Sequence, residues 1–127
     1  MELERINTGF IKDIGIEIEY MENGKAIGSL KIEEKHLNPF KMVHGGVFFS
    51  LADTVAGCAA NSMGAETNTL TSSIDYMRPG KDTSKIICEA FVEKSGKHIV
   101  WIEADIYNDE HILLCKYKGI YYCVQKM

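Results

Sequence analysis

Proline is scarce in this chain, with two residues in 127, and there is no Pro/Ser-rich stretch, low-complexity tract or internal repeat. Nothing therefore marks a domain boundary, and residues 1–127 read as one domain, long enough to bury roughly two-thirds of its unfolded surface. A basic surplus is also missing. Lys and Arg number 14 against 18 Asp and Glu, a net charge of −4, which argues against a general nucleic-acid binder. Local basic clusters could still hold a small phosphorylated ligand. The most apolar stretch, about 47–60, is interrupted by Ser50, Asp53 and Thr54 and is too short to span a bilayer. The start, Met1-Glu2-Leu3-Glu4-Arg5, lacks the basic opening and apolar core of a signal peptide. Cys58, Cys88, Cys115 and Cys123 form no C-x-x-C pair. In apolar patterns such cysteines act as small core residues, and a reducing cytoplasmic setting is expected. There is no G-x-S-x-G elbow or G-x-G-x-x-G loop, which disfavours a serine hydrolase or a dinucleotide enzyme. His36, His98 and His111 show no metal-ligand spacing, so neither a metal nor a cofactor is expected.

What is present is a clear alternation of element signals. Residues 2–12 read as a short helix or irregular lead-in. Ile14, Ile16, Ile18 and Tyr20 alternate with polar or small residues, the period of a half-buried strand. Asn23-Gly24 is a hairpin turn, and Ala26 to Glu33 the returning strand. His36 to Val43 is a loop in which Pro39 pushes Asn38 into an extended conformation. A helix from about Gly45 to Ser62 is apolar on nearly all sides, with Ala52, Ala56, Gly57, Ala59 and Ala60 small enough for a sheet to approach. Long strands follow at about Asn68–Met77, Ser84–Glu93, His98–Tyr107 and His111–Val124, with turns at Ser95-Gly96 and Asn108-Asp109. The order β-β-α-β-β-β-β predicts an α+β fold, an antiparallel sheet wrapped around one long helix. Such a sheet leaves open edges, which favours pairing with a second copy.

The chemistry concentrates in Asn38-Pro39-Phe40-Lys41-Met42-Val43-His44-Gly45-Gly46 and in Asp53 beyond it. A loop that opens into a helix leaves the first backbone N–H groups unpaired at the positive end of the helix dipole. Two glycines let a ligand approach the backbone. The N–H groups of Gly45 and Gly46 could stabilise an oxyanion during acyl transfer or hold a phosphate. Asp53 sits in an apolar helix with no Lys or Arg at i±3 or i±4. A carboxylate so placed needs a partner, such as the hydroxyls of Ser50 or Thr54, or a task as general base or nucleophile.

Gly45 and Asp53 are eight residues apart, roughly 12 Å along a helix axis. Catalytic groups must come within about 3 Å of the same reacting centre. If both act together, the acid must come from a second subunit, and the chain forms a dimer with two shared sites.

The element order, the segment Asn38…His44-Gly45-Gly46…Asp53 and the later Thr69-Leu70…Ile74-Asp75-Tyr76-Met77-Arg78-Pro79 resemble the hotdog-fold acyl-CoA thioesterases of the 4-hydroxybenzoyl-CoA thioesterase superfamily, the phenylacetate-pathway-like branch above all. The resemblance covers roughly residues 7–124. It implies a six-stranded antiparallel sheet around a central helix, and hydrolysis of an acyl-CoA to a carboxylate and free CoA. By this similarity Gly45 donates its N–H to the thioester carbonyl, and Asp53 is the nucleophile or the base for water. Asn38 positions that water, Thr69 supports the acid, and His44 shapes the loop. Gly46 borders the substrate, while Arg78, Lys81, Lys94 and Lys97 would meet the CoA phosphates. A homodimer, paired further into a homotetramer, is implied as well. One departure stands out: the family usually has a small residue, often Gly, where this chain has Lys41, which implies an unusual acyl preference. The rival readings are a non-catalytic acyl-CoA-binding or sensing protein, and a hotdog hydratase or dehydratase with an Asp-His pair. Phe48, Phe49, Met42 and Met63 are candidates for an acyl pocket or for the core.

Overall fold

The computed structural model describes residues 3–126, and side chains as far as Val124. Residues 1, 2 and 127 of the expected domain lie outside this range. Two short helices, α1 (Leu3–Ile6) and α2 (Gly9–Ile14), lead into strands β1 (Ile16–Glu22) and β2 (Lys25–Lys31). The long helix α3 (Gly45–Asn61) follows, and then β3 (Ala65–Tyr76), β4 (Lys85–Ser95), β5 (Ile99–Tyr107) and β6 (Leu113–Lys126). The six strands form one antiparallel sheet in the order β1-β2-β4-β5-β6-β3.

Local chemistry explains most boundaries. Asn23 and Gly24 both take positive φ, 49° and 82°, the conformation of a tight hairpin turn whose twist matches the flanking strands. Gly15, at φ 98°, ends α2 in a left-handed cap. This corrects the expected start of the first strand: Ile14 belongs to α2, and the strand begins at Ile16. The loop before α3 also contains a short 3-10 turn, Glu34–His36. His36 is buried there, accepting from the Glu33 N–H at Nδ1 and bonded through Nε2 to the Ile14 carbonyl.

The sheet curls around α3. Inward positions alternate along the strands as the period of two requires: Ile86, Cys88 and Ala90 on β4, Val100, Ile102, Ala104 and Ile106 on β5, and Cys115, Tyr117 and Tyr121 on β6 are all buried. They meet Leu51, Ala52, Val55, Ala56 and Ala59 of α3, each fully buried. The approach is close enough that a Cβ on Gly28 of β2 would lie 2.6 Å from Cγ2 of Val55. The helix is not covered on every side, however. Gly46, Phe49, Ser50, Asp53, Thr54, Gly57 and Asn61 keep partial or full exposure, and their spacing makes them one stripe. Among the described residues the outer edge of β3 is likewise unpaired, and its residues from Asn68 to Thr71 are exposed. Among the described residues, no helix is long and apolar enough to cross a membrane.

The contact of β2 with α3 yields the first prediction. Gly28→Ala forces a methyl into Val55 and should destabilise the fold by about 1–3 kcal/mol, read as a lower denaturant midpoint at fixed protein concentration. Unchanged stability would show that the helix can move outward freely.

Candidate active site

The loop before α3 is held by its own side chains. Asn38 Oδ1 accepts from the N–H groups of Phe40 (2.9 Å) and Met42 (3.1 Å), and the Asn38 N–H donates to the Met42 carbonyl at 2.7 Å. With the oxygen occupied, any contact of Asn38 to a water runs through its side-chain NH₂, so it would donate and not accept. The Val43 N–H donates to the Gly80 carbonyl, tying the loop to the β3–β4 connection.

His44 is the N-cap of α3. Its Nδ1 accepts from the Gly46 N–H at 2.8 Å, which requires the neutral tautomer with the proton on Nε2. That bond corrects the expectation that both glycine amides face a ligand. The Gly46 N–H is used inside the cap, whereas the Gly45 N–H has no partner among the described residues. Gly46 has a packing requirement instead, since a Cβ there would sit 3.1 Å from His44 Nδ1. Tyr76, which the sequence reading missed, donates its hydroxyl to the Gly45 carbonyl at 2.9 Å. A cavity of about 410 Å³ opens in front of Gly45, lined by Asn38, Met42, Phe48, Tyr76 and Arg78 among others.

Asp53 lies further along α3 on the half-covered stripe. Its Oδ1 accepts from Thr69 Oγ1 (3.0 Å), Tyr117 OH (2.9 Å) and Tyr121 OH (2.9 Å). The expected partners Ser50 and Thr54 are not among its donors, and the Ser50 hydroxyl bonds the Gly46 carbonyl instead. No ion pair to Asp53 exists among the described residues. The two tyrosines also went unread in the sequence. The available signal was period two on β6, which places Tyr117, Gly119 and Tyr121 on the inward face opposite the helix.

Helix α3 and strand β3 run antiparallel, so Gly45 meets Tyr76, Asp53 meets Thr69 and Asn61 meets Thr67. The structure thus brings Thr69 to Asp53, and Asn38 and His44 to Gly45. It keeps the two groups apart within one chain, and Asp53 is absent from the lining of the Gly45 cavity. Arg78 lines that cavity while donating from Nη1 to the Leu113 carbonyl at 2.7 Å. Lys81 is close by, bridged through its backbone to Met42. Lys94 and Lys97 are not brought there, because β4 carries the chain from Lys85 to Lys94 over roughly 30 Å. The Lys94 ammonium lies 5.3 Å from the centroid of the Trp101 ring. Met42 and Phe48 line the cavity, whereas Phe49 packs edge-on to Tyr117 and Met63 is half-exposed beside Gly24. No cluster of three metal-ligating side chains occurs among the described residues.

A profile of the thioesterase superfamily matches residues 40–115, which span the capped helix with Asp53 and strand β3 with Thr69. The chain belongs to the thioesterase superfamily. It is 31% identical over 113 residues to the acyl-coenzyme A thioesterase PaaI of Escherichia coli, covering 89% of this chain and 81% of the relative. The solved structure of E. coli PaaI, from the phenylacetic acid degradation operon, superposes with a TM-score of 0.91 at 28% identity, covering 98% of this chain and 90% of that one. A hypothetical thioesterase protein of Streptococcus pneumoniae, solved with coenzyme A, superposes with a TM-score of 0.84 at 28% identity, over 88% of this chain and 90% of that one. The sheet and its central helix are thus the hotdog fold.

Within this thioesterase-superfamily chain, Lys41 has a backbone explanation. Its φ is 65°, a left-handed conformation that glycine adopts without strain. The side chain pairs with Glu34 at 3.0 Å, both groups being well exposed, and is absent from the cavity lining. Lys41→Gly should therefore raise stability by about 0.5–1 kcal/mol, the left-handed penalty less the extra chain entropy of glycine. Thermal denaturation tests this, and a lowered melting temperature would contradict it.

Proposed function

We propose that this chain is an acyl-CoA thioesterase, a single hotdog domain acting as a homodimer with two shared active sites. The observation that carries the reading is a Gly45 N–H at the helix start, unpaired among the described residues, and a hydroxyl-bound Asp53 on the uncovered stripe, roughly 12 Å apart along one helix. Two copies joined along their free β3 edges with α3 antiparallel would bring Gly45 of one subunit to Asp53 of the other. The acyl-CoA activity named for the E. coli relative, and the coenzyme A in the S. pneumoniae structure, support the substrate class. Two such dimers would pair into a homotetramer, as the family resemblance implies. Four free cysteines support a reducing, cytoplasmic setting.

In the proposed reaction the Asp53 carboxylate, or a water it deprotonates, attacks the thioester carbon. The carbonyl π electrons move onto oxygen, where the Gly45 N–H and the helix dipole stabilise the charge. When the carbonyl reforms, the C–S bond breaks and CoA leaves as thiolate. Direct attack by Asp53 gives an acyl anhydride, which water then opens. Either route consumes one water and yields a carboxylate, a thiol and one proton released to solvent. The Asn38 amide NH₂ orients the water or carbonyl, Arg78 and Lys81 receive CoA phosphates by charge-assisted bonds, and Met42 and Phe48 border the acyl group. Among the described residues no histidine is hydrogen-bonded to an aspartate side chain, which favours the thioesterase reading over a hydratase, whose Asp-His pair would lie on a different segment.

A thiol-release assay over short, medium and aromatic acyl-CoAs tests the activity, and a protein that binds several but cleaves none is a binding module. Asp53→Asn should lower kcat by about 10²–10⁴-fold. Gly45→Pro removes the oxyanion donor at the first helical position, where proline is tolerated, and should be similarly impaired. Randomly mixed subunits of these two inactive variants should recover about a quarter of wild-type activity, since half the dimers are mixed and each holds one intact site. No recovery, with mixed dimers verified, would sink the shared site.

A further inference from the structure

We propose that Tyr117 and Tyr121 are positioning residues for the hydrolysis, a hydroxyl pair that pins Oδ1 of Asp53 and leaves Oδ2 as the oxygen that attacks or deprotonates. The proposal rests on the thioesterase reading above and adds to it the device that orients the acid.

The two tyrosines lie four residues apart on one face of β6, so their Cα atoms are roughly 13 Å apart in an extended strand. Their hydroxyls are nevertheless 2.8 Å from each other. The rings must lean together over the residue between them, and that residue is Gly119. A Cβ there would lie 2.6 Å from Tyr121 Cε1 and 2.8 Å from the Tyr117 hydroxyl. Phe49 of the helix braces the pair, its ring edge-on to Tyr117 with centroids 5.9 Å apart. All of this converges on one carboxylate oxygen. Both hydroxyls are 2.9 Å from Asp53 Oδ1, and Tyr121 OH is also 3.1 Å from the Asp53 backbone carbonyl.

Each phenol has one proton to give. If Tyr121 donates to Tyr117, Tyr117 donates to Oδ1; if Tyr121 donates to Oδ1 directly, the carboxylate gains a further bond. Thr69 adds a donor from β3 in both cases. None of the described hydrogen bonds ends on Oδ2. Burial pushes both phenols well above their ordinary range, so they remain donors wherever the enzyme works. An oxygen with several donors is a poor nucleophile, because its lone pairs are engaged. The second oxygen keeps its lone pairs and is held in direction. Should Oδ2 bond the acyl carbon, Oδ1 becomes the anhydride carbonyl, and the same hydroxyls polarise it toward water.

The test is Tyr117→Phe, Tyr121→Phe and the double variant, each keeping the ring and removing one or two oxygens. A hydrogen bond to a charged group sets the scale, so kcat should fall about 10–100-fold with KM within about twofold. Gly119→Ala, whose Cβ would press on both tyrosine rings, should reproduce the fall in kcat by parting them. Turnover within twofold of wild type in the double variant overturns the proposal, as does a loss carried by KM with kcat unchanged. Proton NMR supplies a readout independent of turnover: two slowly exchanging tyrosine hydroxyl resonances, both displaced by Asp53→Asn. Wild-type protein that cleaves no acyl-CoA overturns the thioesterase reading itself. In that event the hydroxyl resonances support the clamp on Asp53 if they respond to Asp53→Asn, and their failure to respond refutes it.

Discussion

A helix faced with alanine, against a strand that carries glycine, lets a single sheet close around it, and the placement of the site follows from that contact. Interhelical or helix–sheet spacing is set by the side chains between the backbones. With Ala52, Ala56 and Ala59 on the helix and Gly28 on β2, the backbones approach until Val55 fills the remaining space. A larger residue at these positions would flatten the sheet away from the helix. Thr69, Tyr117 and Tyr121 reach Asp53 because β3 and β6 curl that far around it.

The same helix supplies both chemical ends of the proposed site, and geometry keeps them apart. At its start the cap by His44 engages the amide of Gly46 and leaves that of Gly45 free. Further along, three hydroxyls meet one oxygen of Asp53. No bending of α3 can join the two, since a helix is stiff over such a distance and its small-residue face is already buried. The uncovered stripe and the free edge of β3 are the surfaces through which a second copy would complete each half.

Much of the fold was legible because its signals are local. Asn23-Gly24 reads as a turn since both residues tolerate positive φ, and the strands after the helix read from their period of two. The exceptions are instructive. Ile14 looks like a strand residue by alternation, yet Gly15 caps a helix there. The apolar run from Val47 suggests a fully enclosed helix, but the stripe through Phe49, Asp53 and Gly57 remains accessible, because the sheet of one chain wraps only part of the circumference.

For the site, local sequence determined the capped loop, the helix start with its glycines and the isolated acid, since each depends on neighbours within a few residues. The spacing of Gly45 and Asp53 also followed from sequence, because helical rise is constant. Tertiary structure alone decided which amide stays free, which hydroxyls hold Asp53, and which lysines approach the cavity. Tyr117 and Tyr121 are 64 and 68 residues beyond Asp53, and Lys94 is separated from Lys81 by the length of a strand. Such relations depend on the curl and order of the sheet, and no local pattern encodes them.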